Sequence, residues 1–151
     1  MSVLKIKRNE SKAEFVYTAN QIFIETMQFL SRLSARYSRL LANNIIELAH
    51  DVLDNAEKAN SIFPSDELRK KLREEHLLKS RSSLMALDIK LSHCYNLMLT
   101  NPQGCFTNSS GKTVSAKDAT KKLENMAQSL GEKIDKENIL LTNLLKSDKQ
   151  R

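Results

Sequence analysis

Three groups of residues in this chain have types and spacings that could carry chemistry. Glu47-Leu-Ala-His50 has the Glu-x-x-His spacing of carboxylate-bridged di-metal helix bundles. Such a site needs a second copy of the motif and two more inward glutamates. His76 and His93 have no acid three residues before them, so no metal site is expected. His93-Cys94 sets a base beside a thiol, but helix neighbours point about 100° apart and do not face each other. Cys94 reads instead as a small core residue. No Gly-x-x-x-x-Gly-Lys phosphate loop is present, and Tyr17, Tyr37 and Tyr95 are too dispersed for a stacking platform. Neither a catalytic set nor a cofactor is expected. The third group is basic: Arg32, Arg36 and Arg39, then Lys112, Lys117, Lys121 and Lys122. Arginine suits bidentate phosphate contact. What these cations do depends on whether the fold brings the two sets together.

The elements that must position them are organised around residues 66 to 100. That stretch has no Gly and no Pro, and Leu77, Leu84, Leu87, Leu91, Cys94 and Met98 recur at a/d spacing. At about 1.5 Å per residue it makes a rod of roughly 50 Å, whose leucine seam other helices must cover. Ser11-Lys-Ala-Glu14 reads as a capping box ahead of a first helix. That helix carries a stripe of Phe15, Ala19, Ile22, Thr26, Phe29 and Leu33, widened by Val16, Phe23, Met27 and Leu30. A face that wide suggests contact on two sides, within the bundle or with a second subunit.

The pattern loses phase around Leu33 to Arg36. Tyr37, Leu41, Ile45, Leu48, Val52 and Ala56 then start a second helix, which runs to about Ser61. Pro64 stops it, and Ser65 can cap the rod. After Asn101-Pro-Gln-Gly104, residues Phe106, Thr107, Thr113 and Val114 flank Asn108-Ser-Ser-Gly111 as a small β-hairpin. Ser115 caps a fourth helix with a stripe of Ala119, Leu123, Met126, Leu130, Ile134, Leu141 and Leu144, weak near Glu137. Arg81 and Asp88 flank the leucine seam, as a solvated edge or as polar contacts of a subunit interface. The expected fold is all-α: an antiparallel up-down-up-down four-helix bundle at 11–145, with a basic arm at 1–10 and a polar, frayed tail at 146–151.

In that order the junction of helices 1 and 2, the end of helix 3 and the start of helix 4 share one pole. Arg32, Arg36 and Arg39 then approach Lys112, Lys117, Lys121 and Lys122, against Asp118 and, a turn further in, Glu124. The opposite pole holds many cations too, but Glu10, Glu14, Asp66, Glu67, Glu74, Glu75 and Asp148 offset them. Net field rather than count attracts phosphate, so the first pole is the better anion site. The competing reading is a pair of solvated helix ends that keep the protein soluble.

The bulk numbers are compatible with both. The 151 residues suffice for one domain with a core, and 40% hydrophobic with 28% charged residues is ordinary for a soluble protein. A net charge of +6 permits a nucleic-acid partner without requiring one. No apolar run of about 18 residues exists, so no membrane span is expected. Two cysteines and an N-terminus charged too early for a signal peptide suggest a reduced, cytoplasmic setting.

The runs Arg36-Tyr-Ser-Arg-Leu-Leu41, Leu48-Ala-His-Asp-Val-Leu53 and Ala56-Glu-Lys-Ala-Asn60, with Arg69, Leu72, Leu77, Ser80 to Leu84 and Leu91, carry a resemblance. The chain resembles, over residues 11 to 145, the four-helix-bundle accessory proteins of diversity-generating retroelements, the accessory variability determinant. These are similar in turn to bundle proteins encoded in ribosomal RNA intervening sequences. The resemblance implies a basic, barrel-like homopentamer that binds the element's reverse transcriptase and its template RNA and carries no catalytic residues. The 101–114 loop departs from the simplest family pattern. The expectation is a non-enzymatic accessory subunit that holds RNA or an RNA–DNA hybrid by its phosphates. The alternative is an oligomeric protein–protein adaptor without nucleic-acid binding. An enzyme of the ferritin type lacks its second motif.

Overall fold

The computed structural model describes residues 13–106 and 114–150. They form four α-helices and one 3-10 turn: α1 Glu14–Leu30, α2 Ala35–Asn60, α3 Glu67–Leu99, the turn at Pro102–Phe106, and α4 Ala116–Lys149. No strand occurs among the described residues. The basic arm lies wholly outside them, and so does most of the expected hairpin. Phe106, expected to begin the hairpin's first strand, instead closes the 3-10 turn.

The four helices pack around one core. All six α3 seam residues are buried, and so are Phe15, Ala19, Ile22, Thr26, Phe29 and Leu33 of the first stripe. In α2 the inward face is Ala42, Ile45, Ala49, Val52, Ala56 and Ala59. Tyr37, expected inside, is exposed. Small alanines let α2 lie close to its neighbours, while larger side chains at Leu41 and Leu48 sit at the edge of the contact. Side-chain contacts fix the register. On α2 and α3, Asn55 meets His76 at 3.0 Å and Val52 O accepts from Ser80 at 2.8 Å. Glu25 of α1 accepts from Ser129 of α4, and Glu14 pairs with Lys136. Arg81 Nε donates to Asn138 Oδ1 at 3.1 Å, between α3 and α4. In each pair, later residues of one helix meet earlier residues of the other.

The helix ends differ from the sequence pattern in three places. α1 starts at Glu14, and its N-cap is Ala13, which offers no side-chain oxygen; Ser11 lies outside the described residues. The cap of α3 is Asp66, not Ser65: its Oδ1 accepts from Arg69 N at 2.8 Å. A carboxylate there satisfies an orphan N–H and suits the dipole. The tail is not frayed at 146–149, because α4 continues to Lys149.

The reason is Asp148. It is buried and accepts from Arg73 Nε at 2.6 Å. Arg73 is buried too, and its Nη1 donates to Ala59 O at 2.9 Å and Ile62 O at 3.2 Å. One guanidinium thus joins the end of α2, the start of α3 and the end of α4. It also supplies donors to carbonyls at a helix C-terminus that lack intrahelical partners. Asp148→Ala should destabilise the fold by roughly 3–5 kcal/mol, since it leaves a buried charge unpaired. The double variant Arg73→Met with Asp148→Leu should recover most of that loss. Urea midpoints of the three chains are the measurement, and an unshifted midpoint for Asp148→Ala would contradict the clamp.

Candidate nucleic-acid interface

The link between α1 and α2 is short because both of its sides are fixed. Leu33 is buried in the core, and Ser34 caps α2, its hydroxyl accepting from Tyr37 N at 3.4 Å. Arg32 stands just before this anchor and is exposed. At the end of α3, Thr100 Oγ1 donates to Leu97 O at 2.6 Å, and the 3-10 turn folds Cys105 and Phe106 back against the core. Gly104 leaves room for Asn101: a Cβ there would stand 2.6 Å from Asn101 Nδ2. Gln103 Nε2 donates to Val114 O at 3.1 Å and ties the turn to the entry of α4. Ser115 then caps α4, accepting from Asp118 N at 3.1 Å.

Phe106 is the meeting point. The guanidinium carbon of Arg32 lies 4.7 Å from its ring centroid, and Lys122 Nζ lies 5.4 Å from it. Burial pushes the Cys105 thiol up, and the positive charge of Arg32 partly counters that. Lys117 and Lys121 are exposed on the first turns of α4, one helical turn apart. Arg36 and Arg39 are exposed near the start of α2. Arg39 Nε reaches only its own helix, at Ala35 O, 3.4 Å. The structure therefore joins Arg32 to Lys122, and it carries Arg36 and Arg39 on α2 with no hydrogen bond to α4 among the described residues. Lys112 lies outside them.

None of Arg32, Arg36, Arg39, Lys117, Lys121 and Lys122 has a carboxylate partner among the described residues. Six other cations are paired, while Lys58, Lys71, Arg81, Lys90, Lys146 and Lys149 also have no carboxylate partner among the described residues. Arg69 pairs with Asp66, Lys70 with Glu67, Arg73 with Asp148 and Lys79 with Glu75. Lys133 meets Glu25 at 2.6 Å and Lys136 meets Glu14 at 2.9 Å. Pairing is densest around the start of α3 and between α1 and α4, and all six described members of the candidate set are without it. An unpaired set projects its field into solvent and attracts anions.

The other candidate chemistry is not assembled. His50 lies against Phe23 with the rings tilted by 49° and their centroids 4.6 Å apart, and Glu47 is exposed. No group of three or more His, Cys, Asp or Glu that could hold a metal ion occurs among the described residues. Cys94 is fully buried while His93 is exposed, and burial raises the Cys94 thiol. No helix among the described residues is long and apolar enough to cross a membrane.

Two groups escaped the sequence reading. The hairpin pattern predicts a strand at Phe106, and the only local signal for its actual place is an aromatic residue just after a Pro-x-Gly break. Glu137 was a gap in the α4 stripe, yet it is fully buried with neither carboxyl oxygen hydrogen-bonded among the described residues. Burial pushes its carboxyl up to about 8, Lys136 pulls it down, and Glu14 adds to the rise.

Comparison with protein-family models, with curated proteins and with solved structures finds no match for this chain.

Glu137 gives the fold a definite pH dependence. Its ordinary value is 4.5, so between about 4.5 and about 8 the folded chain keeps a proton that the unfolded chain has lost. Raising the pH through that window favours unfolding by about 1.4 kcal/mol per pH unit. The contribution is complete below the window and fully lost above it. Glu137→Gln should flatten the profile between pH 5.5 and 7.5 and raise the urea midpoint at the higher pH. A parent midpoint already flat across that interval would mean that the carboxylate is ionised and solvated.

Proposed function

We propose that this chain is a non-enzymatic, nucleic-acid-binding accessory subunit, of the kind that serves the reverse transcriptase of a diversity-generating retroelement. The carrying observation is the set of basic side chains on the α1–α2 link, the start of α2 and the start of α4, none with a carboxylate partner among the described residues. We read the helices as an antiparallel up-down-up-down bundle, which gathers those cations at one pole. Sugar–phosphate chains of template RNA, or of an RNA–DNA hybrid, lie against that pole and are held by charge without base reading. Arginine at three of the positions suits forked contacts to phosphate oxygens. The bundle performs no reaction and acts in the cytoplasm.

The outer surface supports assembly. α3 exposes Leu78, Met85 and Ile89 on the side away from its seam, and α1 exposes Ile24 and Met27. These positions recur at helical spacing on one face of each helix, which is the pattern of a contact with another helix. We read them as surfaces for a homo-oligomer, a pentamer by the resemblance, and for the polymerase. The same apolar faces favour the second reading, an oligomeric adaptor that recruits protein alone. The absorbance ratio of a fresh preparation separates the two, since the adaptor carries no RNA.

RNA affinity should fall roughly 50-fold between 50 and 200 mM salt for about four phosphate contacts on a single strand. An affinity flat over that range would remove phosphate contact from the account. Charge reversal by Arg32→Glu, Arg36→Glu and Arg39→Glu together should abolish retention on immobilised RNA while helical circular dichroism stays unchanged. Full retention by that variant would assign binding to another surface.

A further inference from the structure

We infer that Phe106 is the positioning residue of a two-cation phosphate seat formed by Arg32 and Lys122, an inference that rests on the nucleic-acid reading above. The two cations come from segments far apart in sequence, the α1–α2 link and the second turn of α4. Both place their charge within 5.4 Å of one ring centroid. Phe106 is itself held from below: it packs against the core, in a turn whose flank is tied to Val114 by Gln103. The ring is therefore a fixed platform under two otherwise long, rotamer-rich side chains.

Free lysine and arginine side chains carry up to about 2 kcal/mol of rotamer entropy each, which phosphate binding would have to overcome. Attraction to a ring face holds the cations near one position while leaving their charge uncancelled. A carboxylate in the same place would hold them equally well and neutralise them. Both cations lie against one ring, so together they can meet phosphates of the same strand. The seat takes a phosphodiester backbone of either sugar type; base identity does not enter.

The test uses the full chain with a fluorescent single-stranded RNA, in the parent, Phe106→Leu and Phe106→Tyr. Leucine keeps an apolar anchor and removes the ring face; tyrosine keeps both. Phe106→Leu should bind about five- to tenfold more weakly and its salt slope should fall by about one, while Phe106→Tyr binds as the parent does. In an Arg32→Gln/Lys122→Gln background the leucine change should have no further effect. A change in that background as large as in the parent would show a merely structural role and overturn the inference. A second arm needs no RNA. Ring-current shifts of the Arg32 Hδ and Lys122 Hε protons should be present in the parent, kept by tyrosine and lost with leucine. Their absence in the parent would overturn the seat. If the parent binds no RNA at any salt, the functional reading falls with the seat's ligand, and the ring-current arm still decides whether Phe106 holds the pair.

Discussion

The apolar seam of α3 has to leave water, and the positions of the other helices follow from that requirement. Each fully buried leucine side chain is worth about 1.5–3 kcal/mol. Four leucines with Cys94 and Met98 therefore contribute on the scale of a whole domain's net stability, about 5–15 kcal/mol. No surface ion pair approaches that; the median is about 0–1 kcal/mol. α1, α2 and α4 are held where they cover the seam, and the charged side chains are carried to wherever their helices end. What each of those ends can do then depends on which of its charges are left unpaired.

The two treatments of arginine illustrate the difference. Arg73 is buried, and burying a guanidinium is tolerated only with good partners. Asp148 and two backbone carbonyls supply them, so this cation is structural and its field is spent internally. Arg32 remains exposed and rests on an aromatic face, so its field reaches solvent. A count of positive residues treats the two alike. Only their partners separate a clamp from a candidate site.

Legibility in the sequence tracked the strength of each physical signal. The α3 seam and the centre of the α1 stripe were legible, because large apolar groups at helical period admit one inward face, although Met27 of the widened stripe is exposed and Thr18 is buried unannounced. The first half of α2 was less so: Ala42 and Ala49 are buried where Tyr37 and Leu48 had the stronger hydrophobic claim. Close helix approach rewards small residues, and composition does not announce it. Caps were ambiguous where two candidates adjoin, as Ser65 and Asp66 do. The end of α4 was hidden because a lone aspartate reads as a tail residue until its arginine, 75 positions away, is known. Glu137 shows the same blindness from inside the core, since a polar residue in an apolar stripe reads as a gap. For the candidate site, residue types were legible and assembly was not. Phe106 joins Arg32 to Lys122 through space, and no local pattern encodes that triple.

An aromatic platform also explains how such an end can stay charged in a stable fold. Like charges placed together repel, and the usual relief is an interleaved carboxylate, as at Glu14, Glu25, Glu67 and Glu75. That relief cancels the outward field. The quadrupole of a ring offers about 0.5–1 kcal/mol per exposed cation and adds no net charge. It offsets part of the repulsion between Arg32 and Lys122 and leaves the field intact. A helix end selected only for solubility has no need of this arrangement, because a mixed-sign surface solubilises as well and repels itself less. The combination of uncancelled cations with a core-anchored ring is what supports the proposed anion-binding role.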